Sequence, residues 1–482
     1  MYLFYRISFI MIYMGKSFRS DDLNQSLLLP PSLHDWLPEN HLARFLVDVV
    51  ETLDLSAIHA SYDAGDGRGQ SAYAPAMMLR LLLYGYATGI CSSRKIQAKT
   101  FEDVGFRFLS ADEHPDHSTL AEFRKRHLEA LAGLFTQALL LCQKAGLVKL
   151  GHVSIDGTKL QGNASKHKAM SYGRMGEAEK KLKDEIDALL KRAEDEDAAE
   201  DEKFGKGRSG DDLPAELARR ESRLAKLQEA KQALEAEARQ EAEDKKAAVE
   251  ARIAERREQE TRTGKKVGGR EPQAPDPDTV RPDAQAQRNF TDPESRIMPS
   301  GNQKGAFVQG YNAQIAVDGA AQIIVAVDVI QQTTDNDQLA PMLEQTERNV
   351  GARPQAASAD TGYWNPAQIE KIQGQGIDLH VATGKQKHGE ASQPDQGSPI
   401  NAGEEPSLRE QMKQKLASEA GRDVYRMRKA IVEPVFGQIK EWRGFRRFSL
   451  RGLDNVRGEW KLVCMTHNLL KLFRSGYVLE TR

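Results

Sequence analysis

Apolar residues recur three and four positions apart through "AMMLRLLLYGYATGI" (76–90) and "HLEALAGLFTQALLLCQKAG" (127–146), which places them on one face of a helix. Prolines 30, 31 and 38 punctuate the approach, and "HSTLAEFRKRH" offers a Ser or Thr cap ahead of a basic helix. Residues 14–148 are therefore predicted to form an all-helical domain. At "GHVSIDGTKL" the period changes to two, predicting a strand that ends at Asp156 and runs into a glycine turn. Further strands are predicted at 307–318, 322–331, 355–360 and 377–383. The stretches "NDQLAPMLEQTERNV" and "NPAQIEKIQ" between them are helical in pattern. Strands and helices interleaved in this way predict a mixed α/β sheet.

Between 172 and 288 the pattern is different. Leu182, Ile186, Leu189 and Ala193 alternate at four- and three-residue steps, and Leu217, Leu224, Leu227, Leu234 and Ala238 keep the same stripe. Pro214 suits a helix start. These residues predict two long helices folded back on each other as a coiled coil, parted by "EDEKFGKGRSGDD" and followed by a Pro-rich linker, "GGREPQAPDPDTVRPDAQAQ". A solvated spacer and a surface for partner binding or self-association both fit. A polar stretch at 384–406 precedes helices predicted at 407–419, 423–442 and 454–474. The expected organisation is a helical domain at 14–148, a catalytic domain begun at 149–171, the insertion at 172–288, and the rest of the catalytic domain at 289–482.

At 482 residues and 39% hydrophobic content the chain can bury two or three cores. A formal charge of −2 excludes a uniformly basic coat, so a DNA surface has to come from local clusters. Candidates are Arg443, Arg446, Arg447 and Arg451, and Arg124, Lys125 and Arg126. Cys91, Cys142 and Cys464 have no metal-ligand spacing and read as reduced thiols of a cytosolic protein. The opening apolar run is broken by Arg6 and falls short of the roughly 20 residues of a membrane span. Residues 1–13 read as an upstream extension from a misjudged start.

Asp156 and Asp360 each end a short apolar run, 204 positions apart, where strands deliver side chains into the crevice of an open sheet. Glu433 lies on an amphipathic helix with Ala430, Val432 and Phe436. Three carboxylates suit hard divalent cations, and two such ions can activate an attacking oxygen and stabilise a leaving one at phosphorus. Tyr425, Arg426, Lys429 and Lys440 lie at −8, −7, −4 and +7 from Glu433 and would share its face. A single Asp at a strand end is more often a turn former or helix cap, and Lys-Glu pairs four apart are common on surfaces; the joint context of the three acids favours the metal site. Trp364 could stack on an unpaired base or pack internally. His117 fits a cap or packing position.

The segments "SIDGTKLQGNASKHKAMSY", "RNFTDPESRIM", "GYNAQIAVD", "ADTGYWN" and "RKAIVEPVFGQIK", followed by "GFRRFSLRGLDNVRGEW", resemble bacterial insertion-sequence transposases of the DDE superfamily, within the IS-five-like branch and its IS-eleven-eighty-two-like group. The resemblance implies a ribonuclease-H-like catalytic domain in which Asp156, Asp360 and Glu433 bind two magnesium or manganese ions. It also implies cleavage at the element's ends, strand transfer to target DNA, a homodimer on paired ends and a nucleoid-associated location. Glu433 and Lys440 keep the six-residue gap of the family's tyrosine, arginine, glutamate and lysine signature, which suggests Lys440 as a contact to end DNA. The upstream half departs: Lys429 stands where that pattern has arginine, and Tyr425 is one residue farther away. A catalytically silent DNA-binding relative, a stand-alone nuclease of the same fold and a coiled-coil scaffold are the rival readings.

Overall fold

A computed structural model describes residues 32–63, 72–204, 213–264, 272–300, 305–384 and 406–479. The expected extension at 1–13 lies outside them, as does most of the polar stretch at 384–406.

Seven helices open the described chain: α1 (Leu42–Thr52), α2 (Ser56–Asp63), α3 (Pro75–Thr88), α4 (Ser93–Glu102), α5 (Val104–Leu109), α6 (His117–Arg126) and α7 (Leu128–Lys144). Helix α3 is buried almost all round, from Met77 to Ala87, as its nearly unbroken apolar run requires of a central helix. It begins with Pro75 and ends at Gly89, whose φ of 82° is the left-handed C-cap that glycine adopts without strain.

The central sheet is built on β1 (His152–Gln161). On one side β1 pairs antiparallel with β5 (Phe307–Asp318), from Val153 opposite Asp318 to Gln161 opposite Gly310. The outer edge of β5 carries β4 (Arg296–Pro299) and β6 (Ile323–Ile330), both antiparallel. On the other side β1 pairs in parallel with β7 (Ala356–Ala359), which pairs in parallel with β8 (Asp378–Val381). Helices α10 (Leu339–Val350) and α11 (Pro366–Gly374) make the crossovers. The predicted end of β1 at Asp156 is corrected: the strand runs five residues further, because β5 continues to supply hydrogen-bond partners past Gly157.

The insertion leaves through β2 (Ala169–Ser171) and returns through β3 (Gln287–Asn289), which pair with each other as a stem. Between them α8 (Tyr172–Phe204) and α9 (Leu213–Thr263) fold back on each other. Met175, Leu182, Leu227, Ala230 and Leu234 form their seam. Glu179 bridges the helices to Lys231 at 2.9 Å. The apolar seam runs alongside this half-buried pair and is the larger contact between the two helices. Residues 200–204, expected in the polar break, continue α8.

After β8 come α12 (Leu408–Ala417), α13 (Glu419–Gly437), a π turn at Gln438–Trp442 and α14 (Leu453–Arg474). One apolar core runs from Leu37 through the sheet to Leu472, with α14 packed on both α7 and β6. The helical region that ends near 148 is therefore continuous with the sheet domain in packing.

Candidate active site

Strand β7 pairs with β1 only as far as Ser358 opposite Ser154, then stops at Ala359. Continuing that register would set Asp360 opposite Asp156. Beyond that point β1 is unpaired on this side until Gln161 bridges Arg447, and Asp156 and Asp360 stand at the start of that gap. Asp360 caps the short turn Thr361–Tyr363 by accepting the Gly362 N–H at 2.8 Å. The Asp156 carboxyl is pushed up to about 6, first by burial and then by the charge of Asp360. Arg428, 3.5 Å away, and the Gly157 N–H at 2.8 Å oppose that rise, while Asp335 adds to it.

Asp335 and Arg428 were not singled out in the sequence. Asp335 sits in the turn between β6 and α10 and accepts from Gln314 Nε2 at 2.7 Å, from Lys159 Nζ at 3.3 Å and from Asn312 Nδ2. Gln314 in turn accepts the hydroxyl of buried Tyr363. Lys159, three residues past Asp156, points to the opposite sheet face, so this network backs the site from behind. Gly157 makes room for it: a Cβ there would lie 2.9 Å from both Asp335 Oδ1 and Asn312 Oδ1. The sequence signal was two amides, Asn312 and Gln314, inside a strand otherwise made for a core. For Arg428 it was position: Arg428, Ile431, Val432, Val435 and Ile439 form the buried stripe of α13 and its π turn, and an arginine on such a stripe must have a partner inside.

Glu433 is exposed on α13, about 7.5 Å along the helix axis from Arg428. Among the described residues no three His, Cys, Asp or Glu side chains stand close enough to share an ion; the charge of Asp360 acts on Asp156, and Glu433 is not among the groups that shift it. Pro434 cannot donate to the Ala430 carbonyl, and Gln322 Nε2 satisfies that oxygen at 3.0 Å instead. The π turn then alters the helical period, and Lys440 is directed at the sheet. Its Nζ donates to Thr158 Oγ1 at 2.9 Å, and burial lowers its pKa. Thr158 shares a strand face with Asp156, so Lys440 stands at the site's edge.

Arg426 and Lys429 are exposed, and Tyr425 is half-buried with the Arg428 guanidinium 5.8 Å from its ring centre. Arg443, expected to face DNA, is corrected: it is 4% exposed and donates to Val463 O and Thr466 Oγ1, because the π turn carries it under α14. Arg124 is likewise buried, on Tyr86 and the Cys91 carbonyl. Lys125 is exposed on α6, whereas Arg126 donates to Ser61 O. Arg447 is exposed, Arg446 pairs with Glu441, and Arg451 donates to Asn163 O. Trp364 is half-buried against the core with Arg409 5.8 Å from its ring centre. The His117 ring packs on Gln97 and Asp116 at the start of α6.

The donor set fits a hard divalent cation: the two carboxylates supply oxygen ligands, and Arg428 and the Gly157 N–H offset their mutual repulsion and burial only in part, since the Asp156 carboxyl is still pushed up to about 6. A cation there competes with the proton on Asp156, whose pKa lies near 6 instead of the ordinary 3.8. Below that value the carboxyl is protonated and binding must expel the proton; above it, nothing is expelled. Mn²⁺ affinity is therefore expected to rise about tenfold per pH unit up to about pH 6 and then level off, which calorimetry on the DNA-free protein can check.

Two family models match the chain. Residues 276–469 match the transposase DDE domain, and residues 31–126 match a transposase domain, DUF772. Together they mark the chain as a metal-dependent DNA-cutting enzyme. It belongs to the insertion-sequence transposases of the DDE type. No curated protein and no solved structure matches it. Among the described residues no helix is long and apolar enough to cross a membrane.

Proposed function

We propose that the enzyme hydrolyses a phosphodiester at each end of its element and then joins the freed 3′ hydroxyl to target DNA, using one site for both steps. What supports this reading is the β1–β7 register, which runs toward Asp156 opposite Asp360, together with the charge of Asp360 acting on the Asp156 carboxyl. The sheet supports a ribonuclease-H-like reading, with three antiparallel strands, β6, β5 and β1, followed by β7 and β8 parallel to β1.

Asp156 and Asp360 would hold the magnesium or manganese ions, two of them; Glu433, exposed on α13, would have to move toward them to contribute. Bound there, such ions supply Lewis acidity and lower the pKa of a coordinated water. The chain's own groups do the rest. Arg428 holds the Asp156 carboxylate in place from the helix side. Lys440 presents a cation two residues along the same strand face and would meet the phosphate next to the cut. Arg426, Lys429, Arg446 and Arg447 are exposed and would track the backbone, so binding should weaken steeply with salt. Tyr425 acts through Arg428. A homodimer on paired ends, in the cytoplasm at the nucleoid, completes the proposal, and the IS-eleven-eighty-two-like group is the branch we assign.

The test is incubation with labelled candidate terminal-repeat duplexes, with and without Mg²⁺. Metal-dependent nicks at the repeat boundary followed by joined products are expected. Nicks without any joining would leave a nuclease, and binding without nicks a silent relative.

The Asp335 network yields its own prediction. Asp335→Asn keeps the shape but turns one acceptor oxygen into a donor facing Lys159, Asn312 and Gln314. Nicking is expected to fall about 10- to 100-fold with end binding unchanged, as for groups that orient metal ligands. Steady-state kinetics and a gel shift on the same preparation check it.

A further inference from the structure

We infer that Arg428 is a built-in counter-cation on the oxygen of Asp156 that would take a metal, so that an incoming divalent ion has to displace it and the DNA-free chain is loaded only above a threshold metal concentration. This deepens the proposed reaction and rests on it. The two Asp156 oxygens have different neighbours. Oδ1 accepts the Gly157 N–H at 2.8 Å, a partner from its own strand, whereas Oδ2 faces Arg428 Nη1 at 3.5 Å. Oδ2 is therefore the oxygen open to an ion, and the guanidinium stands in front of it. A divalent cation and a guanidinium are both drawn to one carboxylate and repel each other, so either one at Oδ2 disfavours the other.

The pair is built to come apart. A tight charge-assisted bond to a carboxylate spans about 2.7–2.9 Å, and this contact is longer. Arg428 is 7% exposed, yet its Nε is buried with no acceptor, a cost that a permanently seated arginine would not carry. Tyr425, with its ring centre 5.8 Å from the guanidinium carbon, offers the displaced cation a π face on its own helix. The layout of α13 agrees. Arg428 and Glu433 are five residues apart, about 140° around the axis at 3.6 residues per turn. The seated helix thus turns its cation toward the aspartates and its acid toward solvent. Pro434 omits the ladder bond to the Ala430 carbonyl, and the π turn begins at Gln438, so α13 can bend beside Glu433. Release of Arg428 would free that segment to bring Glu433 toward the aspartates.

The probe is Mn²⁺ alone, titrated calorimetrically into the full chain at pH 8, above the Asp156 pKa of about 6. Arg428→Gln removes the charge and is expected to tighten Mn²⁺ binding about 5- to 150-fold, the usual range for two coupled occupants. Arg428→Lys keeps the charge and should stay near the parent. Arg428→Met, of similar length, repeats the test should the glutamine variant melt below the assay temperature. Melting curves give a second readout: Mn²⁺ should raise the Tm of Arg428→Gln by more than that of the parent. A residue that only positions Asp156 predicts the opposite sign, because its loss would misplace the ligand and weaken binding. Unchanged or weaker Mn²⁺ binding in both the Gln and Met variants would sink the counter-cation role while the DNA-cutting reading stands. A parent chain that neither binds Mn²⁺ nor nicks terminal-repeat duplexes in its presence would overturn the reaction itself, and this role with it.

Discussion

Asp156→Asn is expected to lower strand cutting by about 10³-fold or more while leaving end binding and melting temperature nearly unchanged. The substitution keeps the side chain's volume, and its oxygen can still accept the Gly157 N–H. What it removes is the negative charge. In the resting site that charge is opposed by burial and by Asp360 and supported by Arg428, so its loss relieves one cost and creates another. These effects have opposite signs in stability. In the reaction they do not cancel, because a neutral amide cannot hold a divalent cation as a carboxylate does. Asp360→Asn should behave alike, although it sits in a turn it also caps. Glu433→Gln is the more searching variant. Its side chain is solvated and apart from the two aspartates, so full activity would remove it from the site without touching the fold. The measurement is nicking of labelled end duplexes at saturating Mg²⁺, with a gel shift and a melting curve on each variant. An Asp156→Asn protein that cuts at the parental rate would end the assignment.

Much of this arrangement was legible in the chain. The β-branched and apolar runs located β5 and β6 to within a residue or so, because both strands are buried along almost their whole length. The leucine stripes located the paired insertion helices for the same reason: a narrow apolar face on an otherwise charged helix has only one way to be covered. What the sequence hid depends on partners far along the chain. "GT" after Asp156 reads as a turn, yet β5 holds it extended, and no local rule can show that. The three- and four-residue strands β2, β3, β7 and β8 carry too few positions for periodicity to mark ends well. The face shared by Tyr425, Arg426, Lys429, Glu433 and Lys440 was drawn for an unbroken 3.6-residue helix. The π turn breaks that count, which is why Lys440 reaches Thr158 and Arg443 is buried. Asp335 was invisible in "TTDND" because polar turns are common; only its three donors distinguish it.

Glu459→Ala is expected to destabilise the protein by about 3–5 kcal/mol, and to slow cutting as well. Glu459 lies on α14 with no exposed surface. One carboxylate oxygen accepts the Tyr86 hydroxyl at 2.9 Å; the other accepts the N–H groups of Ser449 and Leu450 at 2.9 and 3.1 Å. Tyr86 also accepts from Arg124 Nη1 at 2.9 Å, so a buried cation from α6 is linked to a buried anion on α14 through a phenol on α3. Alanine strands all of these at once: two amides and a hydroxyl lose their acceptor, and Arg124 loses its counter-charge in a place water does not reach. Against a typical total stability of about 5–15 kcal/mol that is a large fraction. Glu459→Gln separates charge from hydrogen bonding. Its oxygen can still serve Ser449 and Leu450, but its NH₂ meets the Tyr86 hydroxyl donor to donor, and the expected cost is about 1–3 kcal/mol. Denaturant melts of both, in a cycle with Arg124→Met, measure the coupling directly; a coupling near zero would show that the two charges do not depend on each other. The effect on cutting has a separate origin. Ser449 and Leu450 close the loop that carries Arg446 and Arg447, and that loop meets β1 where the Gln161 N–H donates to Arg446 O. Without Glu459 the loop loses its anchor on α14. The arginines that would hold DNA beside Asp156 then lose their fixed distance from it, so cutting should fall even at temperatures where the variant remains folded.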